Sequence, residues 1–141
     1  MRIMAIDYGD AHTGIAISDP TGLLAGFTTV INAYRPDRVT GQIALLAKEH
    51  GAERLVLGHP INMDGTRGPR SEKAQAMRQL LKETTGLPVV LWDERRTTID
   101  AHQILMSSGK NAKKRKKVVD AVAASLILEG YLTYLKTHPE G

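Results

Sequence analysis

The sequence predicts an α/β fold with three layers, in which a mixed five-stranded sheet carries helices on both faces. Three observations lead there. Three short β-forming segments lie within the first 31 residues, separated by turn signals. Near residue 39 the apolar spacing changes from strand-like to helical. From there, short apolar runs alternate with amphipathic segments. A strand meander followed by βα units gives a sheet with both antiparallel and parallel pairs.

The elements follow in order. Residues 2–6 form an apolar strand that ends at Asp7-Tyr8-Gly9, and Thr13–Ile17 is a second strand. Asp19-Pro20-Thr21-Gly22 is a turn, and Leu23–Ile31 is a third strand rich in β-formers. Val39, Ile43, Leu46 and Ala47 then share one helical face, with Gly51 as the cap. Arg54–Gly58 is a short buried strand, and residues 59–70 form a loop punctuated by proline and glycine. Ala74, Met77, Leu80 and Leu81 mark a second helix, stopped near Gly86. Leu87–Trp92 is a fifth strand, its start loosened by Pro88. A helix capped by Thr97 or Thr98 runs to about Ser107, residues 109–117 form a polar basic connection, and Val118–Leu135 is the last helix. No internal repeat or linker divides the chain, so residues 1–141 are expected to form one domain.

The composition is that of an ordinary globular protein, 42% hydrophobic and 24% charged. With no cysteine there is no disulfide framework, thiolate metal site or cysteine nucleophile. No apolar run reaches membrane-spanning length, and Asp7 interrupts any signal-peptide core. A cytoplasmic location without membrane association is the expectation. The net charge is +4, yet residues 110–117 alone hold six cations, and removing them leaves −2. Such asymmetry favours a polyanionic partner.

Three acidic positions stand out. Asp7 ends an apolar strand, where α/β sheets usually place ligand sites; it would equally serve as a turn aspartate before Gly9. Asp93 and Glu94 end the fifth strand, and adjacent strand residues face opposite sides, so only one of them can point at a shared site. Asp120 lies early in the last helix, where an acid complements the helix dipole. Its neighbours Val119, Ala121, Val122, Ala123 and Ala124 are apolar and mostly small, which lets the helix approach the sheet closely. Convergent carboxylates need a cation, and hard oxygen donors select Mg²⁺ or Mn²⁺. Two such ions about 4 Å apart clamp the attacking and leaving oxygens of a phosphodiester.

Cations that could hold a phosphate chain are present. Arg95 and Arg96 follow Glu94, Arg67 and Arg70 lie in the loop after the fourth strand, and Lys113, Lys114, Arg115, Lys116 and Lys117 precede Asp120. Asn62 is a candidate for hydrogen bonding to phosphate or ribose. The five histidines lack zinc-ligand spacing; His12 and His59, near strand ends, are auxiliary at most. Ser71 has no evident base partner, and Tyr8 and Trp92 read as packing residues.

The motifs Met4-Ala5-Ile6-Asp7-Tyr8-Gly9 with Gly14–Asp19, Gly58-His59-Pro60-Ile61-Asn62-Met63-Asp64-Gly65, Asp93-Glu94-Arg95-Arg96-Thr97-Thr98 and Arg115–Ala124 occur in that order. Together they resemble the YqgF family, described as Holliday junction resolvases or pre-16S ribosomal RNA nucleases. The resemblance implies a ribonuclease H-like fold related to RuvC-type resolvases. It also implies a metal site formed by Asp7, Glu94 and Asp120, which selects Glu94 over Asp93, and a role in maturing the 5′ end of small-subunit ribosomal RNA. His12, His59 and Arg96 depart from the commoner family pattern, which bears on substrate contacts rather than on the acids.

Other readings use the same residues. Asp7–Gly14 also resembles the phosphate loop of actin-like ATPases and sugar kinases, which need two lobes where this chain supplies one. A resolvase acting on branched DNA would use the same acids and require a dimer. A non-catalytic nucleic-acid or ribosome-associated protein would keep its binding without Glu94. The expectation is a metal-dependent nuclease, monomeric or weakly dimeric, whose substrate is a ribosomal RNA precursor.

Overall fold

The β-forming segments at the start of the chain pair as a meander. In a computed structural model, which describes residues 1–21, 25–60, 65–93 and 112–139 with backbone alone for 112–120, β1 (Ile3–Asp7) pairs antiparallel with β2 (His12–Ser18), and β2 with β3 (Ala25–Asn32). β4 (Arg54–His59) adds to β1 in parallel, and β5 (Val89–Asp93) adds to β4 in parallel. The sheet order is β3-β2-β1-β4-β5, which makes β1 the central strand.

Strand alternation divides the core in two. Met4, Ile6, Ile15, Ile17, Leu55 and Leu57 point to one face, where they meet α1 (Pro36–His50) through Val39 and Ile43, and α2 (Pro69–Thr85) through Ala74, Met77 and Leu81. Ile3, Ala5, Ala16 and Val56 point to the other face, against α3 (Ala112–Thr137) through Ala124, Ile127, Leu128 and Tyr131. The three-layer mixed sheet expected from the sequence is therefore present.

Some boundaries differ from expectation, for identifiable reasons. Both α1 and α2 begin at a proline, whose fixed φ and missing N–H suit a first helical position, so α2 starts at Pro69 inside the expected loop. Gly51 and Gly86 cap these helices in the left-handed conformation, at φ 68° and 70°. β5 begins at Val89 rather than Leu87, and the Pro88 carbonyl still accepts a bond from Leu55 N–H. The basic connection expected over 109–117 is corrected: α3 starts at Ala112, because lysine, arginine and alanine are strong helix formers and no glycine or proline interrupts them. The helix expected from Thr97 or Thr98 to Ser107 lies outside the described residues. Among the described residues no helix is long and apolar enough to cross a membrane.

Candidate active site

Asp7 is the last residue of the central strand and is half-buried. It pairs with Gly14 of β2 and shares the face of Ile3 and Ala5, which is the α3 face. At this end of β1 one neighbouring strand runs antiparallel and the other parallel. Ligand sites of α/β sheets favour the carboxyl ends of strands where the topology reverses. Gly9 holds the turn that follows, since a Cβ there would collide with the carbonyl oxygen of His12.

α3 runs antiparallel to β1, as contacts near its far end show. Tyr131 Oη accepts a 2.7 Å bond from Arg54 Nη1 at the amino end of β4, and Leu132 and Leu135 line a cavity with Met1 and Ile3 at the amino end of β1. The helix therefore climbs the sheet toward Asp7 as it is followed backwards. From residue 132 to 120 it rises about 18 Å, while β1 from Ile3 to Asp7 spans about 13 Å. Position 120 comes level with the carboxyl end of the sheet, one turn before Ala124 on the sheet-facing stripe of Ala124, Ile127, Leu128 and Tyr131. Close approach is possible because the side chains are small. At Gly130 a Cβ would stand 3.1 Å from Trp92 Cζ2.

The start of α3 at Ala112 changes the reading of Asp120. It is the ninth residue of the helix, about 12 Å from its start. The dipole's effect fades within the first turn, so it does not account for an acid there. Five cations, Lys113, Lys114, Arg115, Lys116 and Lys117, occupy the opening turns instead, and no acid does. Positive charge at a helix amino terminus opposes the dipole, so helix stability does not explain the run either.

At the end of β5, alternation separates the two acids offered by the sequence. Val89 and Leu91 face α1 and α2, whereas Trp92 faces α3. Asp93 follows Val89 and Leu91, on the face away from Asp7, where it is the cross-strand partner of His59. His59 is 6% exposed, and its Nε2 lies 2.6 Å from Oγ of the fully buried Ser71 in the first turn of α2. Gln75 Nε2 donates to the same hydroxyl at 3.3 Å. Burial lowers the His59 pKa below the usual histidine value, the Arg67 charge lowers it further, and Asp93 opposes them. The imidazole is therefore neutral at pH 7. This His59–Ser71 link is one that sequence reasoning misses, since it finds no partner for Ser71. The available signal is a strand-end histidine followed by a serine at the third position of a proline-started helix.

The other expected residues fall as follows. Arg67 and Arg70 are exposed, the first in the loop before α2 and the second in the opening turn of α2. Asn62, Glu94 and Arg95 lie outside the described residues, and Asp120 and the Lys113–Lys117 run are placed by backbone alone. Among the described residues no three acidic or histidine side chains could together hold a metal ion. Of the expected acid triad, Asp7 alone is described with its side chain.

Residues 1–134 match the family model described as RuvX: Holliday junction resolvase. The chain belongs to this family. A relative from Halothermothrix orenii is 43% identical over 134 residues, covering 95% of this chain and 96% of its own, and carries the name "Putative pre-16S rRNA nuclease". A Bacillus subtilis relative with the same name is 43% identical over 137 residues, covering 96% and 99% of the two chains. The family resemblance read from the motifs is thereby borne out. Among solved structures, Thermus thermophilus RuvC in complex with a Holliday junction substrate matches with a TM-score of 0.64 at 16% identity, over 97% of each chain. That likeness is one of fold, and it bears out the ribonuclease H-like architecture.

Proposed function

We propose that this chain is a divalent-cation-dependent nuclease that hydrolyses phosphodiester bonds, with Asp7, Glu94 and Asp120 as its acidic cradle and precursor 16S ribosomal RNA as its substrate. One observation carries the reading: Asp7 ends the central strand on the face that α3 covers, and α3 runs so that position 120 reaches the same end of the sheet. Placement of Asp93 on the opposite face, beside His59, leaves Glu94, the next residue in the sequence, as the candidate acid after β5. The names carried by the 43%-identical relatives supply the reaction class and the RNA.

The donor set suits a hard cation. All three positions offer carboxylate oxygen, and the chain has no cysteine to attract a softer metal. A bound Mg²⁺ or Mn²⁺ supplies Lewis acidity, lowering the pKa of water and stabilising negative charge on the departing oxygen. The protein does the rest. Asp7 is held rigidly, because β1 is hydrogen-bonded on both sides and Gly9 fixes the turn beyond it. Lys113, Lys114, Arg115, Lys116 and Lys117, with Arg67, Arg70 and Arg95, screen successive phosphates and draw the chain across the acidic end of the sheet. Asn62 contributes a hydrogen bond to phosphate or ribose. Residues 1–141 act as one nuclease domain, which is cytoplasmic like its substrate.

The family model's name favours a second substrate, a four-way DNA junction, cut by the same acids. Cleavage of 5′-extended precursor RNA and of a four-way junction, with Mg²⁺ or Mn²⁺, separates the two when wild type is compared with Glu94→Gln. The proposal expects metal-dependent cutting of the RNA that disappears in the variant. Cutting of the junction alone would move the substrate to DNA. Undiminished cutting by Glu94→Gln would remove that residue from the site.

A further inference from the structure

At the same end of the sheet as Asp7, but on the α1/α2 face, a cleft of about 270 Å³ opens between the β1–β2 turn, the β3–α1 connection and α2. Tyr8, Asp10, Tyr34, Lys73, Met77 and Leu80 line it. Tyr34 is 79% exposed and Leu80 38%, although both are large and apolar in body. Lys73 Nζ and Asp10 Oδ1 are 3.2 Å apart, and both side chains are largely in solvent. Tyr8 follows Asp7 directly and packs toward the α1/α2 core, forming the cleft's inner wall.

We propose that this cleft holds an unpaired nucleotide of the substrate strand at the end of the sheet that carries Asp7, its base on the Tyr34 ring and its phosphate at Lys73. The proposal rests on the nuclease reading and adds a substrate class to it, a strand that is single where it enters the site. The volume lies just under the range of small-molecule clefts, roughly 300–1,000 Å³, and so suits one base rather than a duplex. An exposed aromatic ring offers a stacking face to any base. An ion pair as exposed as Lys73–Asp10 is weak, so a phosphate can draw Lys73 from Asp10 without disturbing the fold. Tyr8 follows Asp7 and its side chain takes the other face of the sheet, so the cleft opens at the same end of the sheet as Asp7, where a substrate strand crossing that end can reach it.

The test is binding of a short single-stranded RNA and of a duplex of the same length, without divalent cation, to wild type, Tyr34→Ala, Tyr34→Phe and Lys73→Ala. Tyr34→Ala should weaken the single strand about five- to a hundredfold, the range that stacking of one base on an aromatic ring supplies, and Tyr34→Phe should retain wild-type affinity. The duplex should be unchanged within about twofold, as for other exposed substitutions. Lys73→Ala should lower the salt slope for the single strand by about one. Unchanged single-strand affinity in Tyr34→Ala overturns the proposal, as does an equal loss for strand and duplex. Cleavage of precursor RNA by the same preparations distinguishes the two readings. Wild type that cuts, beside a Tyr34→Ala protein that binds normally, removes the cleft and keeps the nuclease; wild type that neither binds nor cuts removes both.

Discussion

Replacing His59 with leucine leaves the buried Ser71 hydroxyl with only the longer, 3.3 Å bond from Gln75 among the described residues. A buried hydroxyl that loses its main hydrogen bond costs about 1–3 kcal/mol, whereas making both partners apolar is nearly neutral. His59→Leu and Ser71→Ala should thus each destabilise by about 1–3 kcal/mol, and the double variant by clearly less than their sum. Urea denaturation at pH 7.5 reads all four proteins. By heat, each kcal/mol corresponds to about 3–4 °C in a domain of this size. The link also has a pH signature. The folded state lowers the His59 pKa from the unfolded value of 6.5, so the unfolded chain binds the proton more readily. The contribution of His59 is complete above pH 6.5 and is lost as pH falls through 6.5 toward the lower folded value. Wild type should accordingly lose stability relative to His59→Leu on acidification. Additive single effects, or a stability difference that does not change between pH 7.5 and 5.5, would refute the His59–Ser71 account.

Three further outcomes follow. Gly9→Ala must displace the His12 carbonyl or the turn itself, so it should cost about 1–3 kcal/mol in chemical denaturation and reduce cleavage by moving Asp7. Gly130→Ala gains about 1 kcal/mol of helix propensity but meets Trp92, whose ring is boxed by Tyr131 and Tyr134 at 5.9 and 5.8 Å. Overpacking should win by a small margin, lowering Tm and altering Trp92 fluorescence. Lys116→Ala with Lys117→Ala should weaken nucleic-acid binding and reduce its salt slope by about one for each phosphate left unscreened. The pair should leave stability unchanged within about 0.5 kcal/mol, because positions 116 and 117 lie beyond the first turn, where the dipole's effect has faded, and alanine is as good a helix former as lysine.

Strand features are legible where the signal is local. The Asp19-Pro20 turn and the β-formers on either side of it define the meander, and Gly51 and Gly86 end their helices as expected. The basic run reads as a connection because its polarity resembles a loop, whereas helix formation at 112–117 follows from residue propensity and from α3 packing further along. Composition cannot separate Asp93 from Glu94. Strand alternation decides Asp93 once the faces of Val89, Leu91 and Trp92 are known. His59 and Ser71 are twelve residues apart across a loop, a separation at which no sequence periodicity reports contact. Asp7 is visible as an acid at a strand end, but its central place in the sheet depends on β4 pairing in parallel with β1.

The most direct measurement is metal-dependent cleavage of precursor RNA by Asp7→Asn and Asp93→Asn beside wild type. Outer-shell changes at metal sites already cost about 10–100-fold, so loss of a ligand should exceed that. The account predicts that Asp7→Asn falls by more than about a hundredfold while its RNA binding persists, and that Asp93→Asn, on the far face of the sheet, keeps most of its activity. Full activity in Asp7→Asn, or a collapse confined to Asp93→Asn, would contradict it.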